Sequence, residues 1–228
     1  MIWKKREGQM SEAMSTVIIL TLSGGLQDAY TYFYRGKVYA NAQTGNIINF
    51  THNMINQSWH TAFMYLLPIL AFAGGIYVSE IIRGKYQYHE KIHWRQIVVM
   101  LEIALLFFVG FMPQSFNLFA NSLVSFVCAM QVEAFRKVKG SAFASTMCIG
   151  NLRSATEMFY RYRKTKNKES LKKCLRYYGV ILFFALGAAA GSFLVPLFHE
   201  KTIWFSSSLL MIAFIMMFFK DYEETILK

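Results

Sequence analysis

A chain of 228 residues with 55% hydrophobic but only 16% charged residues lies well below the roughly 25% charge of an ordinary soluble domain. That excludes a soluble globular class and makes membrane spans the unit to count. The net charge of +11 does not indicate a nucleic-acid binder, because the basic residues sit between apolar blocks, as in the cytoplasmic loops of membrane proteins.

Lys4, Lys5 and Arg6 before an apolar run imitate a secretory signal. No small-residue cleavage site follows, so the first span is read as retained. Residues 12–33 can cross the roughly 30 Å hydrocarbon core and are interrupted near their far end by Ser23, Gly24 and Gly25. Residues 41–56 are shorter and carry Asn46, Asn49, Asn53 and Asn56 at three- and four-residue steps, which places four amides along one helix face. Such a segment suits a re-entrant or protein-lined half-helix better than a lipid-facing span.

A strong span follows at 59–82, with Gly74-Gly75 in its middle, and then a basic loop containing Arg83, Lys85, Lys91 and Arg95. Residues 94–112 form the next span, closed by Pro113, and 116–134 the one after, ending at Arg136, Lys137 and Lys139. Residues 142–160 correspond to the amide-rich half-helix. The basic run 161–176 reads as a solvated loop near anionic headgroups, and spans 177–198 and 203–219 complete the chain.

Charge decides between eight crossings and six. If all eight blocks cross, the basic loops at 83–95 and 136–139 lie outside, against the positive-inside tendency. If the two amide-bearing blocks do not cross, six spans remain, both termini are cytoplasmic, and the loops at 83–95, 136–139 and 161–176 are all inside. The expected fold is therefore all-α: a polytopic membrane helix bundle of about six spans plus two short broken or re-entrant helices. It forms a single integral membrane domain, 1–228.

Within it an internal repeat divides the chain into halves 12–112 and 116–219. Gly25-Leu26-Gln27-Asp28-Ala29 and Ala40-Asn41-Ala42-Gln43-Thr44-Gly45-Asn46-Ile47 form the first copy; Ala129-Met130-Gln131-Val132-Glu133-Ala134 and Ser145-Thr146-Met147-Cys148-Ile149-Gly150-Asn151-Leu152 form the second. With one residue inserted after Gln131, Asp28 falls on Glu133, Gly45 on Gly150 and Asn46 on Asn151. Three spans per half is an odd number, so the second half enters the membrane in the opposite sense. Inverted repeats with broken helices in matching positions are a recurrent plan of secondary transporters.

The expected substrate or ion path comprises Gln27, Asp28, Thr44, Gly45, Asn46, Asn49, Glu102, Gln131, Glu133, Gly150 and Asn151. A buried carboxylate costs several kcal/mol unless paired or protonated. Asp28 and Glu133 therefore either face a wet cavity or cap a half-helix and pair with a base such as Arg35 or Arg136. Glu102, alone inside a span, is a candidate proton site. Gln27 and Gln131 either line the path or hold helices together. Thr44-Gly45-Asn46 and Ile149-Gly150-Asn151 would put free N–H groups at half-helix starts or mark tight crossings. Gly74-Gly75 and the pair Gly187, Gly191 read as close-packing sites. Arg153, Glu157 and Arg161 read as a salt-bridged rim.

The first motif, with Ala129-Met130-Gln131 and Gly150-Asn151, resembles the YoaK family of bacterial integral membrane proteins, a domain of unknown function. The resemblance implies a bacterial plasma-membrane location and no established activity; Ile149-Gly150 departs from its usual Thr-Gly pair. The residues themselves imply a secondary transporter or exporter of an unidentified small solute or ion, with a non-transporting sensor or assembly partner as the alternative. No enzyme is expected, since no catalytic constellation occurs among His52, His60, His89, His93 and His199, read as solvated, or Cys128, Cys148 and Cys174, read as soft packing residues. No cofactor or metal is expected. The expected partners are the lipid bilayer and the small-molecule or ion substrate, with no nucleic acid; the oligomeric state is open between a monomer and a homodimer.

Overall fold

The structure is a computed structural model that describes residues 13–89, 93–138, 141–142 and 148–218. Lys4, Lys5, Arg6, Lys91, Lys139 and the Ser145-Thr146-Met147 part of the second copy lie outside them. The fold is all-helical. Its helices are α1 (Met14–Tyr34), α2 (Gln43–Ile55), α3 (Trp59–Tyr86), α4 (Trp94–Val109), α5 (Asn117–Ala134), α6 (Cys148–Thr165), α7 (Lys168–Phe198) and α8 (Ile203–Met216). A two-residue antiparallel ladder, Lys137 with Ala142 and Val138 with Ser141, follows α5. Among the described residues three stretches are long and apolar enough to cross a membrane: Trp59–Tyr86, Gln114–Ala134 and Lys168–Met216.

Close backbone contact fixes how the helices run. Val17 meets Val180, Gly187 faces the Leu22 carbonyl and Gly191 meets Leu26, so α1 and α7 lie side by side in the same direction. Gly75 faces the Phe126 carbonyl and Glu80 pairs with Arg136 at 3.0 Å, so α3 and α5 also run together. The α8 helix is antiparallel to α4, with Ser207 Oγ donating to Ile103 O at 3.2 Å and Trp204 Nε1 to Phe107 O at 3.0 Å. It is antiparallel to α1 as well, since Gln27 meets Ser206 while Tyr34 meets Glu200. Thus α1, α4 and α7 point toward the end of the bundle marked by Arg35, and α3, α5 and α8 toward the end marked by Arg136. The α2 segment joins α1 to α3 at the Arg35 end; α6 joins α5 to α7 at the other.

Several boundaries differ from those expected of the sequence. Ser23-Gly24-Gly25 does not interrupt α1, which is continuous; a Cβ at Gly25 would stand 2.0 Å from the Phe184 carbonyl, so the small residues form a notch for α7. Residues 161–176 are not a loop. The α6 helix runs through them to Thr165, with Arg163 and Lys164 in its last turn, where cations suit the negative end of the helix dipole. Asn167 then caps α7 by accepting from the Glu169 N–H at 2.9 Å. His93 is not merely solvated: it caps α4, accepting from Arg95 N while Gln96 Oε1 accepts from His93 N at 2.9 Å.

At the Arg35 end a buried cation is satisfied without an acidic partner. Arg35 donates to the carbonyls of Val109, Met112 and Pro113, to Asn117 Oδ1 and to the Tyr30 hydroxyl, at 2.7–3.3 Å. These carbonyls lie at and just past the end of α4, where Val109 O also accepts from Met112 N and Pro113 O from Phe116 N. Arg35 is therefore a cap for α4 and not the counter-ion of Asp28. At the other end Glu133 does pair with Arg136, at 2.9 Å.

Candidate functional site

The chain leaves α1 through Gly36 at φ +88° and Lys37 at φ +65°, two left-handed residues that reverse its direction. It then turns back into the bundle. Asn41 Nδ2 donates to Gly24 O at 3.4 Å, ten residues before the end of α1, or roughly 15 Å along its axis. Three contacts hold this re-entrant stretch. Asp28 Oδ1 accepts from the backbone N–H groups of Ala40 at 2.9 Å and Asn41 at 2.8 Å. The Tyr39 ring stacks on Tyr32 with centroids 4.7 Å apart. Asn46, fully buried, grips the Tyr39 backbone from both sides, accepting from its N–H at 3.0 Å and donating to its carbonyl at 2.7 Å.

The α2 helix therefore begins inside the bundle, level with Asp28. Cys148, the first residue of α6, lies near enough to the same carboxylate to feel its charge.

Next to Asp28 a chain of polar side chains crosses three helices. Gln27 Nε2 donates to Ser23 Oγ at 3.0 Å and to Ser206 Oγ at 2.9 Å, and the two serines bond each other at 2.7 Å. Gln27 Oε1 accepts from the Cys128 thiol at 2.7 Å. One turn along α5, Gln131 Nε2 donates to Leu20 O at 3.1 Å. Every polar atom of the Gln27 amide is thus engaged across α1, α5 and α8, each such bond contributing about 1 kcal/mol at a helix contact within a membrane.

The remaining expected residues fall in different places. Glu102 is fully buried on α4. Glu133 is separate from Asp28, at the Arg136 end with Arg136 and Glu80. Thr44 is exposed, Asn49 is half-buried and Asn151 is buried. Gly45 packs edge-on to Tyr39, where a Cβ would come within 3.0 Å of the ring; Gly150 is exposed, and a Cβ there would meet nothing within 4 Å. Neither glycine sits at a tight helix crossing, since the neighbour of Gly45 is a loop side chain just before its own helix. The Arg153–Glu157 pair forms, at 3.1 Å. A surface groove of about 540 Å³ runs beside it, lined by Ile149, Leu152, Thr156 and Tyr160. Among the described residues no cluster of three or more His, Cys, Asp or Glu is placed to hold a metal.

Sequence reasoning missed Ser23, Asn41, Cys128 and Ser206. Ser206-Ser207-Ser208 in the midst of an apolar span is a signal that was there to read. Nothing in the spacing of Cys128 points to Gln27, 101 residues away.

Residues 16–216 match the family described as "Protein of unknown function (DUF1275)". The chain is 23% identical over 199 residues to "UPF0700 transmembrane protein YoaK" of Bacillus subtilis (strain 168), covering 82% of this chain and 85% of that protein. No solved structure matches it.

Proposed function

The chain belongs to the DUF1275 family, and on that premise we propose that this membrane protein is a six-span secondary carrier or exporter of a small solute or ion. The observation that carries the reading is the return of the chain into the bundle at Asp28, whose carboxylate holds the backbone of Ala40 and Asn41 just before the short helix α2. In transporters built of inverted repeats, broken helices meet near the midplane and place their positive N-terminal ends and unpaired backbone groups at the transported species.

Three further features support six crossings and the inverted repeat. Helix direction alternates through α1, α3, α4, α5, α7 and α8, with α2 between α1 and α3 at one end and α6 between α5 and α7 at the other. The packing is matched pairwise: α1 with α7 and α8, α5 with α3 and α4, α2 with α3, and α6 with α7. The notches correspond in kind, with Gly187 of α7 on the Leu22 carbonyl of α1 and Gly75 of α3 on the Phe126 carbonyl of α5, and the repeat aligns Leu22 with Phe126. Arg83, Lys85, Arg95, Arg136 and the cations of 161–176 gather at the Arg136 end, which favours placing it in the cytoplasm, with both termini there. A bacterial plasma membrane is the setting we infer.

On this reading Asp28 is the switch. It fixes the re-entrant stretch through one oxygen, so a solute or cation that competes for that carboxylate loosens Ala40 and Asn41 and opens the path. Gln27, Gln131 and Asn46 are the frame that holds it. The fully engaged amide of Gln27 and the exposed apolar groove on α6 favour a second reading, a non-transporting assembly partner that docks through α6.

Sidedness tests the architecture. Single cysteines at Asn56 and Lys85, both exposed, would be labelled from outside intact cells with a membrane-impermeant maleimide after the native cysteines are replaced. Labelling at 56 and not at 85 is expected; the reverse, or labelling at both, ends the inverted-repeat reading. A thermal-shift solute screen with Asp28→Asn as the paired sample then separates the readings. A carrier has a solute whose shift vanishes in the variant, whereas an assembly partner tolerates the change.

A further inference from the structure

Glu102 is the buried carboxyl whose two oxygens are both left without a hydrogen-bond partner among the described residues. Its residue is 0% exposed. The fold has satisfied comparable groups with care. Arg35 makes five bonds, Gln27 uses its whole amide and Asn46 grips both backbone groups of Tyr39. An ionised carboxylate without a partner in such surroundings costs several kcal/mol, and an intramembrane carboxyl of this kind faces the bundle interior to carry a proton or an ion.

The neighbouring helices bring no cation to it. From α5 comes Cys128, whose thiol senses the charge of both Glu102 and Asp28. The α8 helix contributes hydroxyls only, with Ser207 bonded to Ile103 O beside Glu102. On α3 the ionisable groups Glu80, Arg83 and Tyr86 lie toward the Arg136 end, as does Arg95 on α4 itself, roughly 10 Å along the helix from Glu102. Three further buried hydroxyls, on Thr21, Ser79 and Ser125, are likewise unpartnered among the described residues. The interior thus holds spare polar groups elsewhere and, among the described residues, no cation bonded to this acid.

We propose that Glu102 is the proton-binding site of the carrier, loading one proton from one side of the membrane and returning it to the other. The inference rests on the carrier reading for its purpose and on the lone buried carboxyl for its chemistry. In the conformation described, the carboxyl holds its proton. The α5 helix, which packs against α4, carries the Cys128 thiol that donates to Gln27, the neighbour of Asp28. On deprotonation the carboxylate requires a donor, so its loss of a proton and a rearrangement of the α1–α5–α8 contact occur together. The step is a simple exchange: a carboxylate and a proton from bulk water give the carboxylic acid, and the reverse returns both.

The test uses dicyclohexylcarbodiimide, an apolar reagent that adds to protonated carboxyl groups at membrane depth. Full-length protein in phosphatidylcholine liposomes is treated across a pH series, and the peptide containing Glu102 is read by mass spectrometry. Adduct on Glu102 is expected, falling about tenfold for each pH unit above the midpoint of its titration, and absent in Glu102→Gln. No adduct at any pH, or an adduct whose yield does not change with pH, overturns the proposal; the second outcome describes an acid buried for good. Because the wild-type peptide is read directly, a misfolded variant does not obscure the answer. The two readings fail separately. Adduct on Glu102 in a protein for which no solute binds through Asp28 sinks the carrier and keeps a proton site, whereas a solute-binding protein with an unmodified Glu102 remains a carrier without it.

Discussion

Substituting Gly187 by alanine tests the helix packing most directly, because the consequence follows from one distance. A Cβ built there stands 2.1 Å from the Leu22 carbonyl oxygen, where ordinary contact begins at 3.4 Å. The obstacle is backbone, so no rotamer change relieves it, and α1 and α7 must separate by more than 1 Å along the contact they share. Overpacking of this kind costs about 1–3 kcal/mol. Gly179, on the same helix, has nothing within 4 Å of its Cβ position, so Gly179→Ala brings only the gain in helix propensity, up to about 1 kcal/mol. The two variants should therefore differ by about 2–4 kcal/mol, in opposite directions from wild type. Unfolding of each by sodium dodecyl sulfate titration in mixed micelles, followed by tryptophan fluorescence, gives the comparison. Equal midpoints for the two variants would refute the notch. Gly75→Ala, whose Cβ would lie 2.3 Å from the Phe126 carbonyl, should behave as Gly187→Ala does.

Asn46→Ala removes both bonds to the Tyr39 backbone and should loosen the re-entrant stretch by about 1–3 kcal/mol. Hydrogen exchange at the amides of 39–41 would then quicken about ten- to a hundredfold while the amides of α7 keep their rates. At the Arg35 end, the Tyr34 hydroxyl donates to Glu200 Oε2 at 2.7 Å, and that bond is the first cause holding the Glu200 carboxyl below its usual range. A depressed folded value means that the stabilisation is present above the unfolded carboxylate range and is lost as pH falls through the folded value. Tyr34→Phe should therefore remove part of the acid-side loss of stability and change little at neutral pH, by less than about 1 kcal/mol, because Glu200 is largely solvated. Melting curves of the variant and the wild type between acid and neutral pH report it.

The sequence revealed those features that depend on neighbours along the chain. The amides of 41–56 marked a short helix, α2, and Gly75, Gly187 and Gly191 marked close backbone contacts. Glu133 found its base three residues on, in Arg136. What could not be read depended on residues far apart. Asp28 and Arg35 are neighbours in sequence and of opposite charge, yet the carboxylate bonds the backbone of Ala40 and Asn41 while the guanidinium serves carbonyls more than seventy residues away. Asn46 was legible as a buried amide but not as a clamp on Tyr39, because its two bonds depend on the turn at Gly36. Hydropathy misplaced the ends of α6 and α7 for a different reason. It marks where lipid stops, and both helices continue past that boundary, with only Lys166 and Asn167 between them.

The same-direction neighbours α1 and α7 carry a consequence for how the protein is made. Leu22 and Gly187 touch, yet 165 positions separate them, a stretch that takes a ribosome roughly ten to thirty seconds to synthesise at 5–20 residues per second. For that interval Ser23 and Gln27 lack Ser206, and for most of it Gln27 lacks Cys128 as well, so α1 holds its polar face in lipid or against the insertion machinery. Its assembly is therefore a matter of waiting. The earliest helix is the last to be properly enclosed, and it stays exposed to quality control until nearly the whole chain has been translated.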